Sequence, residues 1–306
     1  IGEINDKIVD GSINDIMMMQ EALQEKKIAD IASDIASREE AKVVLIAGPS
    51  SSGKTSFAHR LAIQLMAQGL QAQIISADNY FVNREESPKD ENGELNFEAL
   101  EAVDIELFND HITKLANGET VEMPEFNFVT GKREFNGKTI TLTDDSVLII
   151  EGIHCLNDKL SYSIPEEKKY RIGVSALTPI NVDEHNRISS SDLRLLRRIV
   201  RDSRTRNISA KTSIERWNKV RLGEEKYIFP FQDSADAIFN SAMVYELSVL
   251  KVFAEPKLFG VPKDTEEYLE AKRLLKFLDY ILGIPKENVP SNSILSEFVG
   301  GSVFPV

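Results

Sequence analysis

The sequence predicts an α/β fold in which a parallel sheet is flanked by helices. Short apolar or β-branched runs recur along the chain, and helical patterns separate most of them, which is typical of βαβ units. The first run, 43–47, is apolar throughout, as expected for a strand that is buried on both faces of a parallel sheet. A turn rich in glycine and serine follows it and leads into a helical pattern at 54–68.

The other elements are predicted in order from local patterns. Residues 1–40 have helical periodicity, and helices are also expected around 98–116, 191–206 and 264–282. Four further strands are predicted in QAQIISAD (71–78), SVLIIEG (146–152), YRIGVSA (170–176) and ADAIFNS (235–241). Asn136-Gly137 lies between two alternating runs, so a small β-hairpin insert is expected at 132–142.

Composition excludes several classes of protein. The 306 residues are 42% hydrophobic, which is enough for one large domain or two smaller ones. A net charge of −13 argues against nucleic-acid partners and against anionic membranes, although a local basic pocket is still allowed. Cys155 is the only cysteine, so no internal disulfide can form, and no stretch is apolar over the ~20 residues that span a bilayer. We expect a cytoplasmic protein.

The turn after the first strand fits G-x-x-x-x-G-K-[ST], which predicts a phosphate-binding loop. Its small residues let the backbone wrap around a phosphate, and the next helix directs its positive dipole end at the same anion. Lys54 would contact the β- and γ-phosphates, and the Thr55 hydroxyl would bind Mg²⁺. The alternative is a purely structural turn, which the strand before it and the helix after it disfavour. The residues expected to bind ATP are Gly48, Pro49, Ser50, Ser51, Ser52, Gly53, Lys54, Thr55 and Ser56.

Two carboxylates end predicted strands near this loop. Ligands of open α/β sheets bind beyond the carboxyl ends of the strands. Asp78 ends the second strand and is predicted to be the base that takes a proton from an acceptor hydroxyl. Glu151 ends the third and is predicted to hold Mg²⁺ or its waters. The alternative for either is a helix cap or a solvated loop.

An arginine-rich segment, 191–207, stands out in this acidic chain. Arg194, Arg198 and Arg201 share one helical face, where like charges repel. An anionic ligand would supply the missing counter-charge, so we expect a lid helix in which Arg198 acts on the transferring phosphoryl group while Arg194 and Arg201 bind the nucleotide. The alternative is a solvated face paired with Asp192, Asp202 and Glu215.

Six segments together resemble uridine kinases and their phosphoribulokinase relatives. They are the loop itself and SADNYF, LNFEALEAVDIELFNDHI, MPEFNFVTGKR, IIEGIH and DLRLLRRIVRD, in the family order over residues 43–240. The tail ILSEFVGGSVF resembles a bacterial subgroup in which the kinase follows a threonyl-tRNA-synthetase-like region. Because the chain begins with Ile1, we expect a fragment in which residues 1–40 are the remnant of that upstream region.

The resemblance implies a P-loop NTPase fold and ATP-dependent phosphorylation of a ribose-like 5′-hydroxyl. It implies that Asp78 is the base, that Lys54 and Thr55 hold ATP and Mg²⁺, and that Glu151 belongs to the metal shell. It also implies a lid at 194–206. The residues that it assigns to the acceptor pocket are Asp78, Tyr80, Phe81, Glu98, Phe126 and Arg133.

Three departures from the family weaken a pyrimidine acceptor. Glu98 stands where an aspartate usually grips the ribose, Phe126-Asn127 stands where a Tyr-Asp pair is usual, and Gly131 stands where a histidine contacts the base. The loss of polar partners should reduce base discrimination, because such contacts carry most of the selectivity.

These observations predict a helical flank at 1–40, a kinase domain at 41–245 with an acceptor insert at 120–143 and a lid at 189–225, and a helical extension at 246–306. The predicted function is ATP-dependent phosphorylation of a nucleoside or related ribose-containing acceptor. A pentose phosphate or a pantothenate-like alcohol is the alternative acceptor. A nucleotide-binding regulatory or RNA-associated module is the alternative from another class. A homo-oligomer is left open.

Overall fold

The computed structural model describes residues 1–91 and 93–305, and its centre is a parallel five-stranded sheet. The strands of the described residues are β1 (Val43–Ala47), β2 (Gln71–Ser76), β3 (Val121–Asn127), β4 (Lys132–Ile140), β5 (Ser146–Glu151), β6 (Lys169–Ser175) and β7 (Ala237–Asn240). The sheet has the order β2-β5-β1-β6-β7, and β3 pairs with β4 in a separate antiparallel hairpin. The predicted α/β architecture is confirmed.

Helices cover the sheet. Those of the described residues are α1 (Gly2–Val9), α2 (Ile13–Ser37), α3 (Lys54–Ala67), α4 (Ile105–Ala116), α5 (Ser190–Thr205), α6 (Ala210–Tyr227), α7 (Glu246–Phe259), α8 (Glu267–Leu278) and α9 (Leu295–Val299). The helix predicted around 98–116 therefore begins later, because Asp104 caps α4 by accepting a hydrogen bond from the Leu107 amide. Across the described part of the chain, no helix combines the length and apolarity needed to cross a membrane.

The strand register brings the predicted site residues to one edge of the sheet. Ile46 of β1 lies opposite Glu151 of β5, and Ser76 at the end of β2 also lies opposite Glu151. All five residues of β1 are buried, which places it at the centre with partners on both sides. The loop after β1, the turn after β2 and the end of β5 therefore meet at the carboxyl edge.

The predicted hairpin exists, but its turn is not at Asn136-Gly137. The turn lies at 128–131, and Asn136-Gly137 forms a bulge within β4, opposite Met123. Gly137 has φ +75° there, and its amide donates to the Glu122 carboxylate. An Asn-Gly pair suits any backbone position with positive φ, so a bulge accepts it as readily as a turn does.

The helical flank and the C-terminal extension pack on the central sheet rather than apart from it. Ile28 and Ile35 of α2 are buried in the same hydrophobic cluster as Phe57 of α3 and Leu250 of α7. Residues 1–40 thus supply part of the main core. The proposal that they are the remnant of an upstream region stays a prediction.

A buried ion pair joins α5 to α7 beneath the loop that follows β1. The guanidinium of Arg197 is fully buried and contacts the Glu246 carboxylate at 2.7 Å. It also donates to the Ser51 carbonyl at 3.2 Å and to the Ser241 carbonyl at 3.1 Å. One side chain of α5 therefore links this helix to α7 and to the loop.

Loss of one partner should cost much of the stability of the chain. In Glu246→Gln the buried Arg197 charge has no counter-charge, so we expect the free energy of unfolding to fall by roughly 3–5 kcal/mol. Urea denaturation measures it. Asp110→Asn, which breaks the exposed pair with Lys114, is the control and should leave the midpoint unchanged. Equal stability of the two variants would contradict the role of the buried pair.

Candidate nucleotide and acceptor site

The loop after β1 presents a row of backbone N–H groups that no protein atom accepts. Within the described residues, the amides of Ser51, Gly53, Lys54 and Thr55 donate to no acceptor of the chain. Ser51 and Gly53 have φ +59° and +85°, and this interrupted backbone turns successive amides toward one point. Because the first turn of α3 adds its positive dipole end, the loop is an anion-binding cradle.

The carbonyl groups of the loop are held from behind. Arg194 donates to the Ser50 carbonyl at 2.9 Å, Arg197 donates to the Ser51 carbonyl, and the Ser241 hydroxyl donates to the Ser52 carbonyl. With its carbonyls fixed to α5 and to the end of β7, the loop keeps its amides directed outward.

Two glycines of the loop are required by space. A Cβ at Gly48 would lie 2.1 Å from the Val174 carbonyl oxygen, which is backbone and cannot move aside. A Cβ at Gly53 would lie 2.6 Å from the Ile294 side chain, and its positive φ adds strain. Pro49 and Ser52 are buried between them. The motif is thus explained by packing as well as by ligand binding.

A lysine and a carboxylate without protein partners lie next to the cradle. In the described structure neither the Lys54 ammonium nor the Asp78 carboxylate has a hydrogen bond or ion pair with the protein. Burial raises the pKa of Asp78, while the charges of Lys54, Arg206 and Arg201 act in the opposite direction. Both side chains remain partly exposed, as groups that handle a ligand should.

Two further carboxyl groups surround Lys54. Burial raises the pKa of Glu151, at the end of β5, to about 7, and burial raises the pKa of Glu98 to about 7 as well. Lys54 lowers both values, whereas Asp78 raises both. The site therefore brings three carboxyl groups within electrostatic range of one ammonium, and burial favours the protonated form of each.

The oxygen donors beside the loop fit a hard cation. Thr55 follows Lys54 in the first turn of α3 and is partly exposed, and Glu151 lies on the adjoining strand. A hydroxyl and a carboxylate suit Mg²⁺, which usually keeps several waters and binds few protein ligands. No group of three or more His, Cys, Asp or Glu residues within 1–91 and 93–305 could hold a metal alone. Nucleotide phosphates would have to complete such a site.

The arginine-rich segment is a helix, as predicted, but part of its counter-charge comes from the chain. Arg194 is buried and pairs with the fully buried Glu224 of α6, which corrects the prediction that its charge awaits a ligand. A solvated face is also wrong for Arg194. Asp202 is the shared partner of the other arginines, at 3.4 Å from Arg198 and 2.9 Å from Arg201.

Asp202 leaves an excess of positive charge. It also contacts Arg206 at 3.5 Å, so one buried carboxylate serves three guanidinium groups. Arg198 donates to the Ser50 hydroxyl of the loop at 3.0 Å. The sequence also suggested Asp192 and Glu215 as partners, but within the described residues neither makes an ion pair with these arginines. Asp192 pairs with Arg273 instead. The excess charge lies beside the loop.

Two loop amides are taken by distant carboxylates that the sequence did not reveal. The Ser50 amide donates to Glu224 at 3.2 Å, and the Ser56 amide donates to Glu297 of α9 at 3.3 Å. Ser56 was predicted to bind ATP; its amide and hydroxyl contact Glu297 in this structure, and its binding of ATP stays a prediction. No local signal marks either glutamate, because each contacts a residue more than 170 positions away.

Aromatic side chains lie together where the acceptor pocket is predicted. Phe81 lies 5.6 Å from Phe126 and 6.4 Å from the half-exposed Phe128, ring centre to ring centre. Arg206 lies over the Phe128 ring at 5.4 Å, so the end of α5 reaches the hairpin. Tyr80 is fully buried, and its hydroxyl contacts His111 at 3.2 Å, so this ring supports the wall from behind.

Other predicted acceptor residues also have protein partners. Arg133 of β4 donates to Asp104 at 2.9 Å, which ties the hairpin to α4. Glu98 packs on α6, where a Cβ at Gly223 would lie 2.6 Å from the Glu98 Cβ. Acceptor binding by these side chains stays a prediction.

Arg84 fills the space beside Gly131, one of the three positions that differ from the family pattern. A Cβ there would lie 2.7 Å from Arg84 Nε, and Arg84 donates to the Phe128 carbonyl at 2.8 Å. Gly131 also has φ +71°, so the turn of the hairpin itself favours glycine.

Known proteins resemble the chain over the region that contains this site. The model of the "Phosphoribulokinase / Uridine kinase family" matches residues 43–248. The uridine kinase of Macrococcus caseolyticus is 32% identical over 197 residues, which are 64% of this chain and 86% of the relative. The uridine kinase of Proteus mirabilis is 32% identical over 199 residues, with coverage of 64% and 85%.

A solved structure from Bacillus stearothermophilus, described as a possible uridine kinase, matches at a TM-score of 0.45 and 17% identity. It covers 70% of this chain and 98% of its own. The assignment rests on the family model and the sequence relatives, since the matched segment spans more than half of the chain and contains the cradle, Asp78 and the arginine-rich helix. The chain belongs to the phosphoribulokinase / uridine kinase family, and it is a phosphotransferase with an alcohol acceptor.

Proposed function

We propose that the chain transfers the γ-phosphoryl group of ATP to a hydroxyl of a nucleoside or a related ribose-containing acceptor. One observation carries the proposal: the open amides of Ser51, Gly53, Lys54 and Thr55 lie beside a lysine and a carboxylate that make no hydrogen bond or ion pair within the described residues. The amides and Lys54 supply a site for phosphates, and Asp78 supplies a base next to it. The family and the names of the relatives support the class of reaction.

Asp78 is suited to receive the proton of the attacking hydroxyl. Burial raises its pKa, which makes its carboxylate a better proton acceptor than an exposed aspartate. The positive charges of Lys54, Arg206 and Arg201 act against this rise, because they favour the ionised carboxylate. As the hydroxyl attacks the phosphorus in line, its proton moves to Asp78 and the bond to the leaving ADP oxygen breaks.

The helix α5 supports the transferring group. Arg198 and Arg201 share Asp202, so their positive charge exceeds that of their partner and can be directed at phosphate oxygens. Thr55 and Glu151 would hold Mg²⁺, which when bound neutralises charge on the phosphates. Closure of α5 and α6 over the loop excludes water from the reaction.

The acceptor pocket favours shape over hydrogen bonding. Phe81, Phe126 and Phe128 offer ring faces and edges to a flat or apolar part of the acceptor. Since Asn127 uses its side-chain oxygen to accept from the Val129 and Thr130 amides, it is engaged in the hairpin turn. We infer weak discrimination among bases.

Replacement of the base should separate chemistry from binding. In Asp78→Asn we expect kcat to fall by about 10²–10⁴-fold, because an amide cannot take the proton, while ATP affinity is retained. Coupled ADP release measures turnover, and calorimetry measures ATP binding. Asp145→Asn, in the exposed loop before β5, is the control. Turnover near wild type in Asp78→Asn would remove Asp78 from the mechanism.

The acceptor class is tested with a panel of alcohols. We expect ADP release to depend on a nucleoside and to differ by less than about tenfold among uridine, cytidine, adenosine and guanosine, because the wall is aromatic. Stimulation by pentose phosphates or pantothenate-like alcohols alone would contradict the nucleoside assignment. ATP binding with no stimulation by any acceptor would instead support a regulatory nucleotide-binding module.

The partly buried Glu98 should make stability depend on pH. Its pKa is 4.5 in an ordinary environment and about 7 in the fold, so the folded state binds the proton more tightly. Stability should fall as pH rises from 4.5 to 7, by at most about 1.4 kcal/mol per pH unit for one group. Glu98→Gln should make this decline shallower, as followed by urea unfolding, and the exposed Glu101→Gln should match wild type. Parallel curves for all three proteins would contradict the burial of a titrating Glu98.

A further inference from the structure

The segment 293–301, which we call the strap, is anchored on the nucleotide loop although it lies outside the family match. Its helix α9 buries Leu295 and Phe298 completely. Arg204 of α5 donates to the Glu297 carbonyl at 2.7 Å, and Arg197 lies over the Phe298 ring at 4.9 Å. The Ile294 side chain covers Gly53, where no Cβ would fit. The strap is therefore held at the start of α3 by several independent contacts.

Glu297 directs its carboxylate at the first turn of α3. Its Oε2 accepts from the Ser56 amide at 3.3 Å and from the Ser56 hydroxyl at 2.8 Å. Both residues are buried, Glu297 at 6% exposure and Ser56 at none. Ser56 is the third residue of α3, so its N–H belongs to the donors that a helix start leaves without internal partners.

This contact places a negative charge where a nucleotide needs a donor. The backbone N–H groups of such a loop hold the α- and β-phosphates, and the Ser56 amide continues the row of open amides that ends at Thr55. A carboxylate and a phosphate cannot both accept the same N–H. A phosphate that accepted this N–H would also lie close to the Glu297 carboxylate, so their negative charges would repel each other.

We propose that Glu297 determines nucleotide affinity, because its carboxylate competes with nucleotide phosphate for the Ser56 amide. The strap then weakens the binding of ATP and ADP relative to the open cradle, and binding displaces the carboxylate from Ser56. The proposal rests on the proposed function, since it takes the loop as the nucleotide site. It extends that site to a residue that the family segment, 43–248, does not contain.

Neutralisation of Glu297 should strengthen phosphate binding. In Glu297→Gln we expect the Kd values of ATP and ADP to fall by about fivefold or more, since one like charge is removed at a helix start. The affinity for adenosine, which has no phosphate, should not change. Calorimetry with the full chain measures all three. Glu287→Gln, an exposed change in the same extension, is the matched control and should bind like wild type.

Weaker or unchanged ATP binding in the glutamine variant would point to a structural role of Glu297. If Glu297 instead supports the first turn of α3, Glu297→Gln will bind ATP more weakly or unchanged, and either result overturns the proposal. A change of equal size for adenosine overturns it as well. Should the glutamine variant fail to fold, Glu297→Asp withdraws the carboxylate by one methylene and should shift ATP affinity in the same direction. Failure of wild type to bind ATP would refute the proposed function instead.

Discussion

The site depends on a loop whose amides point outward because its carbonyls are tied down behind it. Arg194, Arg197 and Ser241 each donate to one carbonyl between Ser50 and Ser52. A peptide group whose oxygen is fixed cannot rotate its N–H away, so the open amides are pre-organised before any ligand binds. The buried pair of Arg197 with Glu246 then links the stability of the core to the shape of the cradle. Arg197 therefore contributes both to the stability of the core and to the shape of the loop.

The charges of the site follow from this arrangement. Arg194 and Arg197 hold the loop, and their positive charges are paired with the buried carboxylates of Glu224 and Glu246. The arginines grouped around Asp202 outnumber this carboxylate, and the charges of Arg206 and Arg201 among them act on Asp78. A strongly acidic chain can thus bind an anionic ligand, because the local balance at the cleft differs from the net charge of −13.

Sequence patterns predicted what is local and missed what is distant. The parallel sheet, the loop and the position of Glu151 at the end of β5 follow from contiguous runs of residues, whereas Asp78, predicted to end the second strand, lies in the 3-10 turn two residues after β2. The Asn136-Gly137 pair predicted the hairpin turn at the wrong position, because its preference for positive φ does not distinguish a turn from a bulge. Glu224 and Glu297 could not be found, since their partners are 174 and 241 positions away and only the packing of α6 and α9 brings them together.

The effect of a residue that differs from the family pattern depends on its neighbours in the fold, as Gly131 shows. A missing histidine at this position suggests a lost base contact, yet Arg84 fills the adjoining space and donates to the hairpin. Arg84 is 47 positions earlier in the chain than Gly131. The glycine and the side chain that fills the space beside it therefore belong to different segments. The same reasoning applies to the strap, where Glu297, beyond residue 248, contacts Ser56, the residue that follows the motif. The family assigns the reaction class, whereas contacts between distant residues, such as Glu224 with Ser50 and Glu297 with Ser56, are visible only in the fold.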